Sequence, residues 1–300
     1  MNDPELYSKS NALQIRDAKQ ILKEYLRKIS WGGSERVVDI GCGDGLLTST
    51  ILKGVLPKDF EKLRGFDISS RMVDFANRHY RDERTSFSVL DIEGALPDHC
   101  SRTVDHAFSF YALHWIKKQD VAFTNIYEML DYGGNCLLVF LGHMPIFDVF
   151  RILAKQDKWK EYLKEVDQRF VSPYHDSQVE VESIMTKTGF KNVTVERKEM
   201  TFVFDRLEVS VAAVNPFKIP AELHDRFLED YVQVMRDMRL VDQANNNANP
   251  FGDVTCNYST PDLFMVLILW CHQNHNIVTD PSDTYLLLCT KNLYVLSWLY

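Results

Sequence analysis

Arg36-Val37-Val38-Asp39-Ile40-Gly41-Cys42-Gly43-Asp44-Gly45, continued by Leu46-Leu47-Thr48-Ser49-Thr50-Ile51-Leu52, is the stretch whose reading decides the fold. A β-branched run ends in an acid, glycines then alternate with other residues, and a helical run follows, which is strand, tight turn and helix. That order opens a doubly wound α/β domain. Glycine at 41, 43 and 45 permits positive φ and lets the backbone come close to a ligand. Ligands of such sheets lie beyond the carboxyl ends of the strands, where this turn sits.

Working outward, apolar positions 18, 21, 22, 25, 26 and 29 follow helical spacing and predict a helix packed on the sheet before the first strand. Lys62–Asp67 reads as a second strand ending in an acid, and Ser69 is placed to cap a helix from Ser70 to Tyr80 with Met72, Phe75 and Ala76 inward. Thr85–Leu90 alternates as a third strand and ends at Asp91-Ile92. Val104–Tyr111 is the fourth, with Ala112-Leu113-His114-Trp115-Ile116 at its carboxyl end. A helix is expected over 117–131, broken by Gly133-Gly134 before the fifth strand, Asn135–Leu141. That strand is nearly all apolar, as a parallel strand covered on both faces should be.

Residues 142–180 then interrupt the alternation with an insertion that carries Trp159, Tyr162 and Leu163 on a helical stretch. Ser177–Gly189 reads as a helix, Val193–Val195 and Thr201–Phe204 as strands, and 206–213 and 220–241 as helices. In the last of these, Phe227, Tyr231, Met235 and Met238 are spaced for burial. The insertion and these helices are expected to cap the open end of the sheet as a pocket lid. After a polar linker, the apolar runs 262–270 and 285–300 are expected to form a strand or amphipathic core at the sheet edge.

Composition narrows the function classes. The 300 residues are 45% hydrophobic and 25% charged, ordinary globular values that allow a sizeable core. The net charge of −8, with no basic stripe, argues against nucleic acid as a main partner. The start, Met1-Asn2-Asp3-Pro4-Glu5, is polar and acidic, unlike a targeting leader. No apolar run approaches the roughly 18–20 residues of a membrane span. The 6 cysteines are scattered without C-x-x-C pairs, which suits a reducing, cytoplasmic setting. Cys271, His272 and His275 lack a fourth partner, so no metal is expected.

The glycine spacing separates two cofactor readings. A dinucleotide fingerprint is G-x-G-x-x-G, whereas here it is G-x-G-x-G. S-adenosylmethionine has no pyrophosphate to cradle, and its cationic end suits a turn flanked by Asp39 and Asp44. Asp67, about 20 residues on, is placed to accept both ribose hydroxyls. Asp91 can accept from the adenine amino group, and Ile92 can cover the ring. Val38-Asp39-Ile40-Gly41-Cys42-Gly43-Asp44-Gly45 resembles motif I of the class I S-adenosylmethionine-dependent methyltransferases.

Methyl transfer from a sulfonium is an in-line displacement, and positioning is the enzyme's main contribution. A carboxylic acid, with a reference pKa of roughly 4, is already ionised at neutral pH and needs no base. It needs neutral donors that fix one oxygen inside a dry cavity. Gln14 offers amide donors and Trp115 an indole N–H, and His114 can donate as well. Each has a plainer alternative: Gln14 as a solvated helix residue, His114 as a core histidine bonded to backbone, Trp115 as packing.

Several blocks are similar to the insect juvenile hormone acid O-methyltransferases, from Met1 to about Tyr258. They are Leu6-Tyr7-x-Lys9-Ser10-Asn11-x-Leu13-Gln14-x-Arg16-Asp17-Ala18, Val89-Leu90-Asp91-Ile92-Glu93-Gly94, Phe108-Ser109-Phe110-Tyr111-x-Leu113-His114-Trp115-Ile116, Phe140-Leu141-Gly142-His143-x-Pro145-Ile146-Phe147-Asp148 and Ser172-Pro173-Tyr174-His175-Asp176. The resemblance implies a Rossmann-like class I methyltransferase fold, a mostly parallel seven-stranded sheet with helices on both faces and a helical lid insertion. It divides a single domain into a cofactor-binding core (1–142), a lid (143–180), remaining sheet and helices (181–258) and a divergent tail (259–300). It also implies methylation of the carboxylate of farnesoic acid or juvenile hormone acid, a small sesquiterpenoid acid, with Gln14 and Trp115 orienting the carboxylate and S-adenosyl-L-homocysteine as second product. Asp39, Gly41, Cys42, Gly43, Asp67, Ile68, Met72, Asp91, Ile92 and Ser109 are assigned to the cofactor. Gln14, Tyr111, His114, Trp115, His143, Met144, Ile146 and Phe147 are assigned to the substrate. A homodimer stays open, as do another carboxylic acid as substrate and a catalytically weak binding paralogue. A nicotinamide oxidoreductase is disfavoured by the glycine spacing.

Overall fold

A computed structural model describes residues 3–143, 145–169, 177–199, 215, 217–240 and 265–272. Helices α1 (Pro4–Ser8) and α2 (Ala12–Tyr25) precede strand β1 (Arg36–Ile40). The first begins where Asp3 accepts the Leu6 N–H at 3.0 Å and Pro4 occupies a first-turn position whose missing N–H costs nothing. Leu13, Ala18, Ile21, Leu22 and Tyr25 form the buried stripe of α2. Helix α3 starts with a π-helical Leu47–Leu52 and ends with Lys53–Val55. Then come β2 (Lys62–Asp67), α4 (Ser70–Tyr80), β3 (Thr85–Val89) and β4 (Val104–Phe110). The Ser69 hydroxyl caps α4 by accepting the Met72 N–H.

The remaining elements are α5 (Gln119–Met129), β5 (Leu130–His143), α6 (Pro145–Ala154), α7 (Val166–Arg169), α8 (Ser177–Thr188), β6 (Lys191–Glu199), α9 (His224–Asp237) and β7 (Met265–His272). The strands form one seven-stranded sheet in the order β3-β2-β1-β4-β5-β7-β6. The first five pair in parallel, and β7 runs antiparallel to both β5 and β6. Chain order reverses between β1 and β4, which creates the crevice that such folds use for ligands.

Alternation along the strands divides the core. Leu137 and Val139 face a cluster that includes Ile21, Phe150, Trp159, Phe227 and Tyr231, so α2, α6 and α9 cover one side. Leu138 and Phe140 face Phe123, Ile126, Val181 and Met185, so α5 and α8 cover the other. The insertion is fastened to α9 by the Trp159 indole N–H, which donates to Asp230 at 2.9 Å, and by Phe150 packing on Tyr231. Among the described residues no helix is long and apolar enough to cross a membrane.

Three boundaries differ from expectation. Helix α5 stops at Met129 and β5 begins at Leu130, so Gly133-Gly134 bends the start of a strand. A Cβ at Gly134 would lie 2.8 Å from the Asp131 carbonyl oxygen, which excludes a side chain from that bend. Of the two apolar runs of the tail, the first supplies the strand β7, inside the sheet between β5 and β6, while 285–300 lies outside the described residues. Cover on both faces suits an uninterrupted apolar run better than an edge does. The 220–241 helix is a short 3-10 turn, Ala221–Leu223, followed by α9. The strand expected at 201–204 and the helix at 206–213 lie outside the described residues, as do 172–176.

Candidate active site

The glycine turn is held from three sides. Gly41, Gly43 and Gly45 have φ of +75°, +55° and +81°. The Gly41 and Cys42 N–H groups both donate to the Phe66 carbonyl, at 2.7 and 2.9 Å. A Cβ on Gly41 would sit 2.1 Å from the Ala112 Cβ, and one on Gly45 2.7 Å from the Ala76 Cβ. The sequence therefore needs glycine there for space as well as for φ.

Three acids surround this turn. Asp67 accepts the Gly43 and Ser69 N–H groups, each at 2.9 Å, while burial raises its carboxyl above the usual range. Asp44 accepts from the Ser8 hydroxyl, from Asn11 Nδ2 at 3.4 Å and from the Leu46 N–H at 3.1 Å, and burial raises it too. Asp39 is 2% exposed and accepts the Thr48 hydroxyl at 2.5 Å through Oδ2. Its Oδ1 has no hydrogen-bond partner among the described residues. Burial pushes this carboxyl up to about 7, with the Asp67 charge adding to the rise and the Thr48 hydrogen bond opposing it.

Two cavities meet at the turn. A cleft of about 300 Å³ is lined by Gly41, Gly43, Asp67, Ile68, Met72, Asp91 and Ile92 on one rim and by Tyr111 and Trp115 on the other. Ile68 is 67% exposed at its edge. The 91–94 loop is fixed by Asn125 Nδ2, which donates to the Ile92 and Gly94 carbonyls at 2.8 Å each. The second cavity, about 10 Å³, is lined by Gln14, Asp39, Gly41 and Cys42, with Tyr7, Asn11 and Asp44. Gln14 Oε1, like Asp39 Oδ1, is buried without a partner among the described residues.

Beyond β4, Tyr111 takes a φ of +59° and its hydroxyl donates to Asp17, a fully buried residue of α2 whose carboxyl burial raises. Arg16 Nε also donates to Asp17, at 2.7 Å. His114 is buried between Tyr111, Trp115 and Phe147, and its ring centroid lies 5.0 Å from that of Trp115. Burial lowers its pKa to about 3, so the ring is neutral. Its Nδ1 accepts the Leu141 N–H at 3.4 Å, which leaves the proton on Nε2.

Gln14 and Trp115 thus both reach the Gly41 turn, but from different cavities. His114 lines neither and instead backs Trp115. Phe147 also packs on Trp115, with centroids 6.2 Å apart. Tyr111 presents its ring, since its hydroxyl is engaged by Asp17. Ser109, assigned to the cofactor, is a correction. It is fully buried, lines neither cavity and donates to the Ile40 carbonyl at 2.8 Å, so its hydroxyl is engaged by the β1 backbone. Met144 lies outside the described residues, as do the side chains of His143 and Ile146.

Sequence reasoning missed Tyr7, Thr48 and Asp17. Tyr7 lines both cavities, and its ring lies 3.2 Å from where a Cβ on Gly43 would be. A signal was present: Asn11, Gln14 and Asp17 recur every three residues, a polar stripe along a helix of apolar burial.

The residues fit S-adenosylmethionine. Two buried acceptors lacking a donor stand beside a ring of acids and so call for a cation, while the apolar rim of Ile68, Met72 and Ile92 suits a purine. A methyltransferase-domain family matches residues 37–134. The juvenile hormone acid O-methyltransferase of Bombyx mori is 49% identical over 88% of this chain and 97% of its own length. That of Drosophila melanogaster is 38% identical over 84% of this chain and 88% of its own. The chain belongs to the juvenile hormone acid O-methyltransferase family. Phosphoethanolamine N-methyltransferase 2 of Haemonchus contortus, solved with S-adenosyl-L-methionine, matches 86% of this chain and 52% of its own at TM-score 0.50 and 19% identity, a likeness of fold alone. This family member is an S-adenosylmethionine-dependent O-methyltransferase with the Rossmann-like class I fold.

Proposed function

We propose that the enzyme methylates the carboxylate of a sesquiterpenoid acid, farnesoic acid or juvenile hormone acid, in the cytoplasm. The observation that carries this reading is the 49% identity across nearly the whole length of a relative named for juvenile hormone acid. The site's chemistry supports it. Around Trp115 the neighbours are the uncharged rings of Tyr111, His114 and Phe147, which orient an anion without trapping it in a tight ion pair. When bound, S-adenosylmethionine supplies an electrophilic methyl group.

Gly41, Cys42 and Gly43 line its path, Asp39 receives its amino-acid end, Asp67 its ribose, and Asp91, Ile92, Ile68 and Met72 its adenine. Gln14 and the Trp115 indole N–H hold one carboxylate oxygen of the acid on the displacement axis. His114 and Phe147 fix the indole by packing against it, and exclude water. Phe147, from the insertion, borders the isoprenoid chain, and the insertion acts as its lid.

The test is methyl-ester formation from labelled cofactor over a panel of farnesoic acid, juvenile hormone acid, fatty acids and small carboxylates. Preference for a fatty or small acid overturns the substrate assignment. Gln14→Ala should lower turnover on the preferred acid about a hundredfold, far more than it weakens cofactor binding. Unchanged turnover removes Gln14 from the site.

A further inference from the structure

The carboxylate contact proposed above uses the amide NH₂ of Gln14 and leaves unexplained the small cavity beside Gly41 that Gln14 also lines. The cavity's free space of about 10 Å³ holds one water-sized group. Gln14 and Asp39 both line it, one from α2 and one from the end of β1. Each brings a buried oxygen that no donor among the described residues satisfies. Every other acid around the turn is matched: Asp67 by two backbone N–H groups, Asp44 by Ser8, Asn11 and Leu46. A buried acceptor left unpaired carries a desolvation cost, which a ligand donor relieves. The cavity therefore asks for a small group with at least two N–H donors. Beside a buried carboxyl, a positive charge satisfies it better than a water does.

We infer that Gln14 is a bridge: its Oε1 and Asp39 Oδ1 together accept hydrogen bonds from the α-ammonium of the cofactor, while its amide NH₂ donates to the substrate carboxylate. An amide is the one neutral side-chain group that has both an acceptor oxygen and two donors on a single planar unit. A glutamine here ties the placement of the nucleophile to the placement of the methyl donor, through one rigid group. The inference rests on the carboxylate role proposed above for Gln14 and adds the second contact.

The experiment measures calorimetric affinity for S-adenosylhomocysteine and for its desamino analogue, which keeps the thioether and the carboxylate but lacks the ammonium. The wild type, Gln14→Leu and Gln14→Glu are compared in the full chain. Gln14→Leu should weaken S-adenosylhomocysteine about tenfold and leave the desamino analogue within about twofold, since a hydrogen bond to a charged group is lost in one case only. Gln14→Glu keeps the acceptor and removes the donors. It should bind S-adenosylhomocysteine at least as tightly as the wild type, while ester formation collapses through repulsion of the substrate oxygen.

Equal weakening of both ligands by Gln14→Leu, or of neither, overturns the bridge, as does a Gln14→Glu protein that loses S-adenosylhomocysteine like the leucine variant. The carboxylate role is read separately. A leucine variant with normal ester turnover defeats that role whatever the binding ratio. One with lost turnover and an unchanged binding ratio keeps that role and defeats only the bridge.

Discussion

On the β1–β2–β3 rim of the cleft, functional groups stand close to the glycine turn in sequence and are fixed largely by backbone. Asp67 is held by the N–H groups of Gly43 and Ser69, and Gly41 and Cys42 hang from one Phe66 carbonyl. On the β4–β5 rim the groups are fixed by side chains from distant segments. Tyr111 is pinned by Asp17 of α2, and Trp115 is packed by His114 and by Phe147 of the insertion. The first rim is built from the ends of β1, β2 and β3 and held mainly by backbone groups, with Asn125 of α5 fixing its 91–94 loop. The second is assembled by packing between segments far apart in the chain.

The difference is open to attack by mutation. The largest effect belongs to Gly41→Ala. The added Cβ meets Ala112 at 2.1 Å and the residue must hold a φ of +75°. Together these should cost about 3 kcal/mol or more and reduce S-adenosylhomocysteine affinity about a hundredfold, read by calorimetry and thermal melting. Asp17→Asn and Tyr111→Phe come next. Each breaks the link from α2 to the far rim, and should cut ester turnover about tenfold with S-adenosylhomocysteine affinity within about twofold. Their double variant should be no worse than either single one, and additive losses would show that the two residues act separately.

Asp39 supplies a smaller, pH-dependent effect. Burial holds its carboxyl near 7 in the free protein, so below that pH a bound ammonium must displace a proton. S-adenosylhomocysteine affinity should rise about fivefold between roughly pH 6 and 7, then level off, with Asp39→Asn flat. The stability of the free enzyme has the opposite sign. A carboxyl raised by burial favours folding while protonated, and that contribution fades as pH climbs from about 4 through about 7. Melting of the wild type relative to Asp39→Asn should therefore fall over that interval. The smallest effect is Ser109→Ala: loss of one hydrogen bond to Ile40, about 1 kcal/mol, with cofactor affinity unchanged. A large loss of affinity would return Ser109 to the cofactor site.

What the residues by themselves determined was whatever depends on neighbours in the chain. The strand, turn and helix around Gly41, the acids ending β1 and β2, and the periodic faces of α2 and α9 follow from backbone sterics and apolar spacing, whereas in α4 Val73 is buried and the expected Phe75 is half-buried. Sterics and spacing act over a few residues, so the glycine turn and the elements that flank it were legible. Tertiary structure decided what depends on segments far apart. It set the tail's strand inside the sheet, tied Asp17 to Tyr111 across 94 residues, turned Ser109 toward Ile40, and left Gln14 and Asp39 as two unmatched acceptors around one cavity. No local pattern encodes those pairings, because hydrogen-bond satisfaction and close packing are settled only when the whole core closes.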